Sequence, residues 1–419
     1  MTGIEKVERA IIVGVALLHR DRREVERSLD ELALLAETAG AQVVRRIVQE
    51  RGRPDPAFYI GRGKAHSLAS DSGSLGVDLI IFDEDLSPAQ IKNLERVTKV
   101  KIVDRSGLIL DIFARRARSR EAKIQVELAQ LQHLLPRLTR QWSHLSRQIG
   151  GIGMRGPGET QLEVDRRRVK KKIANLCRAL NRIARSRKTQ RKRRDGMFRL
   201  ALVGYTNSGK STLLNRLSKT SSAYVENHLF ATLDPMTRVI ETPSHQRILL
   251  TDTVGFIRKL PPHLIASFHS TLEEAVESDA LLHVADASHP CLEEQIATVE
   301  NILHQLRIAE KPTILVLNKS DMVTELKLLS RIQQRYPRGI LTSALSGQGI
   351  DNLKMAIAEL LRQHWVEVQL RIPLRERQLV SWIHRVGDIL SEAYQNNEVL
   401  IQAHLDRRDA NRLTKAAMV

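Results

Sequence analysis

The sequence predicts an α/β multidomain protein on three observations. Its 419 residues exceed what one hydrophobic core usually serves. Short apolar runs alternate with helical patterns twice, over residues 8–105 and again from Met197 to about Trp365. Between these stretches the apolar period changes to the alternating threes and fours of a paired-helix seam. Four parts follow. An N-terminal α/β domain covers 1–118, and a two-helix antiparallel coiled-coil hairpin with a Gly-rich loop and basic linker covers 119–195. A second α/β domain with a mostly parallel sheet covers 196–365, and a small C-terminal α/β domain covers 366–419.

Composition narrows the class. Apolar residues make up 42% of the chain, as in ordinary soluble domains, and "IIVGVALL" (Ile11–Leu18) is the longest apolar run near the start. That is well short of the roughly 20 residues a bilayer crossing needs. The opening "MTGIEKVERA" lacks a signal-peptide pattern, so a cytoplasmic protein is expected. Cys177 and Cys291 are too few for a disulfide framework or a metal cluster. The formal charge of +18 implies a polyanionic partner, nucleic acid or an acidic membrane surface, with any membrane association only peripheral. Fifteen of the cations fall between Arg166 and Arg194 with no Asp or Glu among them, and removing them leaves +3. The excess is local. A monomer is expected.

In the first domain, "IIVGVAL", "AQVVRRIV", "VDLIIFD" and "VKIVD" read as strands, separated by helical segments such as Glu24–Ala39 and Pro88–Val97. Strands alternating with helices predict a mostly parallel sheet covered on both faces. From Ser119, the residues Ile124, Leu128, Leu131, Leu135 and Leu138 form one seam; Val169, Ile173, Leu176, Leu180 and Ile183 form another. Pro136 is expected to kink the first helix or end it near Leu135. The second helix is expected over about Leu162–Arg187, with "SRKTQRKRRDG" (Ser186–Gly196) as a linker. In the last domain "VEVQLRIP" precedes an amphipathic Gln378–Tyr394.

The most specific motif is "FRLALVGYTNSGKSTLLNRL". An apolar strand ends at Val203, and Gly204–Ser211 fits G-x-x-x-x-G-K-[ST] ahead of an amphipathic helix. Backbone N–H groups of Gly204, Tyr205, Thr206, Asn207, Ser208 and Gly209 can close around phosphate oxygens there, aided by the helix N-terminus at Lys210, Ser211 and Thr212. Lys210 is expected to reach the β- and γ-phosphates and Ser211 to ligate Mg2+. "LLTDTVGF" ends a strand in Asp252, suited to hold Mg2+ through water. Thr253 and Val254 then lead to Gly255 for a γ-phosphate contact. "ILVLNKSD" supplies Asn318, Lys319, Ser320 and Asp321, whose terminal carboxylate can accept both guanine N1–H and N2–H2. "LTSALS" supplies Ser343, Ala344 and Leu345, with the Ala344 N–H directed to guanine O6. This set, at successive strand ends, implies a P-loop GTPase that converts GTP to GDP.

Between the cradle and Asp252 lies "HLFATLDPMTR", whose Phe230, Ala231, Thr232, Leu233 and Asp234 are expected to border the nucleotide. Thr232, preferred over Thr237, would ligate Mg2+ and bond the γ-phosphate; Lys210, Thr232 and Gly255 are the candidate catalytic positions. Signalling GTPases often carry a Gln after D-x-x-G to orient water, where this chain has Phe256. Slow intrinsic hydrolysis is expected unless a partner completes the site, and Asn207 is a candidate ligand for K+ in place of an arginine finger.

These motifs, with "RGPGETQLEVDRRRV", resemble the HflX family of ribosome-associated translational GTPases. The resemblance extends over "YIGRGKA" (Tyr59–Ala65), "DLSPAQIKNLE", "ELAQLQHLLPRLTR", the loop Gly150–Glu159, "GYTNSGKS", "LFATLDP", "DTVGFI" and "NKSD". Leu345 departs from the Lys common in GTPases at large. The resemblance implies binding to the large ribosomal subunit, separation of stalled or idle ribosomes under stress, and GTP hydrolysis stimulated by ribosomal RNA. Arg155, Arg166, Arg167, Arg168, Lys170, Lys171 and Lys172 are the candidate RNA contacts. The resemblance also implies an ATP-related activity of the first domain, although "GRGK" lacks the spacing of a phosphate cradle. The competing reading is a nucleotide-dependent switch that binds a protein target through its hairpin.

Overall fold

The computed structural model describes residues 7–17, 22–141, 161–192, 197–218, 230, 234–243, 246–259, 269–363, 365–395, 397–406, 410 and 413. The chain divides into two compact units. One is Met1–Lys188 with Glu226–Asp234 and Phe256–Leu272, and the other is the remainder.

In the first unit, β1 (Glu8–Leu17), β2 (Ala41–Arg51), β3 (Leu79–Phe82) and β4 (Lys101–Asp104) form a parallel sheet in the order β2-β1-β3-β4. Every residue of β3, "LIIF", is buried, as a strand covered on both faces requires. The expected helices appear as α1 (Arg22–Thr38) and α3 (Pro88–Thr98), joined by α2 (Arg62–Leu75) and α4 (Arg105–Arg116). Helix α3 starts where its residues dictate. Ser87 accepts from the Gln90 N–H, the Gln90 side chain accepts from the Ser87 N–H, and Pro88 occupies the first turn.

The hairpin helices run longer than expected. Of the two outcomes expected at Pro136, a kink or an end near Leu135, the end does not occur: helix α5 (Arg120–Gln141) continues through Pro136. Flanking that ring's missing donor, His133 three residues before and Arg137 one residue after both reach Asp104, at 3.4 and 2.5 Å, which ties the two sides of the break to one carboxylate. Helix α6 (Gln161–Lys192) extends beyond Arg187 into residues expected to be linker. The segment is rich in Arg, Lys and Gln, which lose little rotamer freedom in a helix, and it contains neither Gly nor Pro to stop it. On α5, Leu128 is buried, whereas the α6 seam from Val169 to Ile183 is half-buried. Lys172 of α6 pairs with Glu127 of α5 at 2.5 Å.

In the second unit, β5 (Arg199–Gly204), β6 (Met236–Glu241), β7 (Arg247–Asp252), β8 (Ala280–Asp286), β9 (Thr313–Asn318) and β10 (Ile340–Leu341) are ordered β10-β9-β8-β5-β7-β6. All pairs are parallel except β6 with β7. Helices α7 (Lys210–Leu217), α8 (His269–Glu277), α9 (Leu292–Gln305), α10 (Leu326–Arg335) and α11 (Ile350–Gln363) alternate with them. Leu213, Leu214 and Leu217 of α7 join Leu200, Leu202, Leu282, Leu353 and Ile357 in one core, so the helix bearing Lys210 is anchored by its apolar face.

The C-terminal part is an antiparallel sheet of β11 (Trp365–Pro373), β13 (Glu398–Asp406) and β12 (Asp388–Gln395), with α12 (Arg377–Val386) packed against it. The amphipathic stretch expected over Gln378–Tyr394 is therefore half helix and half strand. Helix α12 ends at Gly387, where a Cβ would meet the Leu405 side chain at 2.5 Å, and residues 388–395 instead pair with β13. Among the described residues no helix is long and apolar enough to cross a membrane.

Candidate nucleotide site

Strand β5 ends at the centre of its sheet, and the chain turns there on glycine. Gly204 has φ 156, and a Cβ on it would fall on the Val284 carbonyl of the neighbouring strand. Gly209, with φ 89, passes so close to the Asn318 amide that a Cβ would collide with it. Only glycine allows both approaches. Between them Asn207 is exposed at φ 59, while Tyr205, Thr206 and Ser208 are buried. The hydroxyls of Thr206 and Ser208 are buried without a partner among the described residues, which leaves polar capacity inside the cradle.

Lys210 is 6% exposed, and its ammonium donates to the carbonyls of Gly204 (3.1 Å) and Tyr205 (2.7 Å). Burial pushes its pKa down to about 8; the Asp252 carboxylate opposes this and the Lys319 charge adds to it. The Ser211 hydroxyl donates to Asp252 at 2.6 Å. A hydroxyl and a carboxylate converging on one point form the hard-oxygen set that a small divalent cation takes. Gly255 closes the far side, where a Cβ would stand 2.8 Å from Thr206 Cα and 2.9 Å from the Lys210 ammonium.

The base-reading motifs meet through Asn318. Its side-chain amide donates to the Ser208 carbonyl (2.9 Å) and its oxygen accepts from the Ala344 N–H (3.0 Å). The donor expected to face guanine O6 is thus engaged within the protein. Lys319 pairs with Asp286 at the end of β8 (2.7 Å), Ser320 is buried, and Asp321 is exposed. Ser343 is fully buried, whereas Leu345 stands 78% exposed at the loop tip. Thr253 and Val254 turn inward, the Thr253 hydroxyl donating to the Leu202 carbonyl at 2.7 Å. Thr212 is half-buried on α7. Thr237 lies in β6 with its hydroxyl on Thr251 (2.9 Å). Ala231, Thr232, Leu233, Arg155 and the loop Gly150–Glu159 lie outside the described residues.

Some participants carry little local signal. His283 is buried in β8 opposite Val203, its pKa held down to about 4 by burial first and the Lys210 charge second. A lone His inside "LLHVAD" is the trace it leaves in sequence. In the first unit, the Phe230 ring meets Phe113 edge-on at 4.6 Å. The Asp234 carboxylate accepts from the N–H groups of Arg118 (3.2 Å) and Ser119 (3.0 Å) and from the Ser119 hydroxyl. Just beyond the buried Phe256, Arg105 donates to the Arg258 carbonyl (3.2 Å), and Lys259 pairs with Asp83 and with Glu84 (2.7 Å).

Comparison with known proteins decides the family. Residues 26–114 match "GTP-binding GTPase N-terminal", 116–194 match "GTP-binding GTPase Middle Region", and 199–319 match "50S ribosome-binding GTPase". The GTPase HflX of Lacrimispora saccharolytica is 44% identical over 400 residues, 95% of this chain and 93% of that protein. The chain belongs to the HflX GTPase family. The Escherichia coli member is 40% identical over 412 residues, 97% of this chain and 96% of its own. A solved GTP-binding protein from Sulfolobus solfataricus, in complex with GDP, is 26% identical with a TM-score of 0.45, covering 85% of this chain and 99% of its own. The family relatives and the GTPase domain matched over 199–319 make the protein a GTPase.

Proposed function

We propose that this GTPase binds the large ribosomal subunit and separates stalled or idle ribosomes under stress, with ribosomal RNA stimulating its hydrolysis. The observation that carries the reading is the cationic face of α6. Arg166, Arg167, Arg168, Lys170, Lys171 and Lys172 are all exposed within seven positions. Lys172 pairs with Glu127, and Arg168 makes only a 3.6 Å contact with Asp165. Such a face binds folded RNA by neutralising phosphates and releasing counterions, so affinity falls steeply with salt. The "50S ribosome-binding GTPase" match over 199–319 supports the same partner. The protein acts in this reading as a cytoplasmic monomer.

At the nucleotide, Mg2+ would be held by Ser211 and Thr232, with Asp252 acting through water, and would neutralise charge on the β- and γ-phosphates. Asn207, exposed in the cradle, would hold K+, and Lys210 would bind the phosphates it is buried beside. Phe256 cannot orient water, so the ribosome completes the site. Equal hydrolysis rates in sodium and potassium would remove the K+ role from Asn207.

Cosedimentation with purified large subunits, at rising salt and with GDP or a non-hydrolysable GTP analogue, tests the assignment. Pelleting favoured by the analogue and weakened steeply by salt is expected. Equal pelleting with both nucleotides, or none, would overturn it in favour of a protein target for the hairpin.

A further inference from the structure

The last turn of α7 holds a side chain that the nucleotide chemistry above does not use. Arg216 is exposed, and its guanidinium donates to the Ser346 carbonyl at 3.0 Å, 130 residues away. The neighbouring Gly347 has φ +95, and a Cβ there would fall on the Arg216 guanidinium. The planar group therefore lies against the loop backbone, and the glycine is what admits it.

That loop follows β10 and carries Ser343, Ala344 and Leu345. It is braced from within: Ser343 N–H donates to the Gln348 carbonyl (2.9 Å), Gly347 N–H to the Ser343 carbonyl (2.8 Å), and Ser346 N–H to the Ser343 hydroxyl (3.0 Å). From the buried side Asn318 accepts from the Ala344 N–H and donates to Ser208, joining the loop to the phosphate cradle. From the exposed side Arg216 joins the same loop to the helix that begins with Lys210 and Ser211. One eight-residue helix thus presents phosphate-binding residues at its first turn and a brace for the base-reading loop at its last.

We propose that Arg216 is a positioning residue for guanine recognition: by fixing Ser346 and Gly347 against α7, it keeps the Ser343–Leu345 edge in register with the bound phosphates. It touches no reacting atom. Its loss frees the outer edge of the loop, so the base is released sooner while the phosphate end is unchanged. This deepens the GTPase activity and is independent of the ribosomal reading.

Release of fluorescent mant-GDP measured by stopped flow, with steady-state GTP hydrolysis on the same samples, tests it. Arg216→Ala should speed release by about five- to tenfold, the scale of one ordinary net hydrogen bond as expected for an exposed guanidinium, and raise KM while kcat changes less than twofold. Arg216→Lys, which keeps a cation and a donor, should recover part of the loss. Release within twofold of the parent, or a fall in kcat matching the rise in KM, would overturn the assignment. Gly347→Ala supplies an independent arm. Backbone strain at φ +95 is common to both backgrounds, so a smaller effect of Gly347→Ala in Arg216→Ala than in the parent isolates the guanidinium contact. Additive effects would refute that contact.

Discussion

The protein contains one parallel and one mostly parallel sheet whose strand ends are treated in opposite ways. At the C-terminal end of β5 the chain is glycine and backbone. Gly204 and Gly209 thin the loop, and the Thr206 and Ser208 hydroxyls stay without a partner among the described residues. At the C-terminal ends of β3 and β4 the corresponding rim is filled by the protein's own charges. Arg105, 2% exposed, pairs with Asp83 (2.7 Å) and Glu31 (3.1 Å), Lys259 adds a cation to Asp83 and Glu84, and Arg137 reaches Asp104 at 2.5 Å. Parallel sheets commonly bind ligands at this end. The difference shows that topology offers the place, and loop chemistry decides whether a ligand or an internal ion pair occupies it.

Breaking the filled rim should cost stability. Asp83→Ala leaves Arg105 and Lys259 short of a buried carboxylate and is expected to destabilise the first unit by about 3–5 kcal/mol. Chemical denaturation of the full chain measures this, and a loss below about 1 kcal/mol would show the rim to be solvated. Breaking the open rim should cost binding instead. Lys210→Met is expected to weaken GDP binding about 100-fold, as loss of charge-assisted phosphate contacts implies. It should leave the apparent melting temperature of the nucleotide-free protein unchanged or higher, because a desolvated cation has been removed. Retained GTP turnover would refute the cradle.

Asp321→Asn should lower guanine nucleotide affinity about 10- to 30-fold and shift preference towards xanthine nucleotides. Unchanged guanine selectivity in competition binding would take Asp321 out of the base site. The smallest effect is on pH. In the free protein Lys210 titrates at about 8 rather than 10.5, and bound phosphate raises that value. The complex then holds more protons than the free protein above pH 8, so GDP affinity should fall by at most about tenfold per pH unit as pH rises through 8. Calorimetry in buffers of different ionisation enthalpy should record proton uptake on binding at pH 8.5. Proton release there would contradict the assignment.

Much of the open rim is readable in the linear chain because its parts are local. A strand, a turn needing glycine at positive φ and an amphipathic helix follow one another in twenty residues, and each is fixed by its own residue types. The filled rim has no such trace. Asp83, Arg105 and Lys259 look like ordinary surface charges until the fold gathers them, and Lys259 lies 176 residues from Asp83. The differences have the same origin. Pro136 signals a kink or an end locally, yet α5 continues through it with His133 and Arg137 both on Asp104. Residues 388–395 read as an extension of α12, yet β13 offers a ladder that helical periodicity does not reveal.

The sequence by itself determined the alternation of strands and helices, the glycine turn between β5 and α7, and the cationic length of α6, since these depend on neighbours within a few turns of chain. Only the tertiary structure decided that Asn318 ties Ser208 to Ala344, that Arg216 braces Ser346, and that Lys259 sits on Asp83 and Glu84. Hydrogen bonds and ion pairs of this kind act over about 3 Å in space and are indifferent to separation along the chain. Their partners become known only once the strands have taken their order.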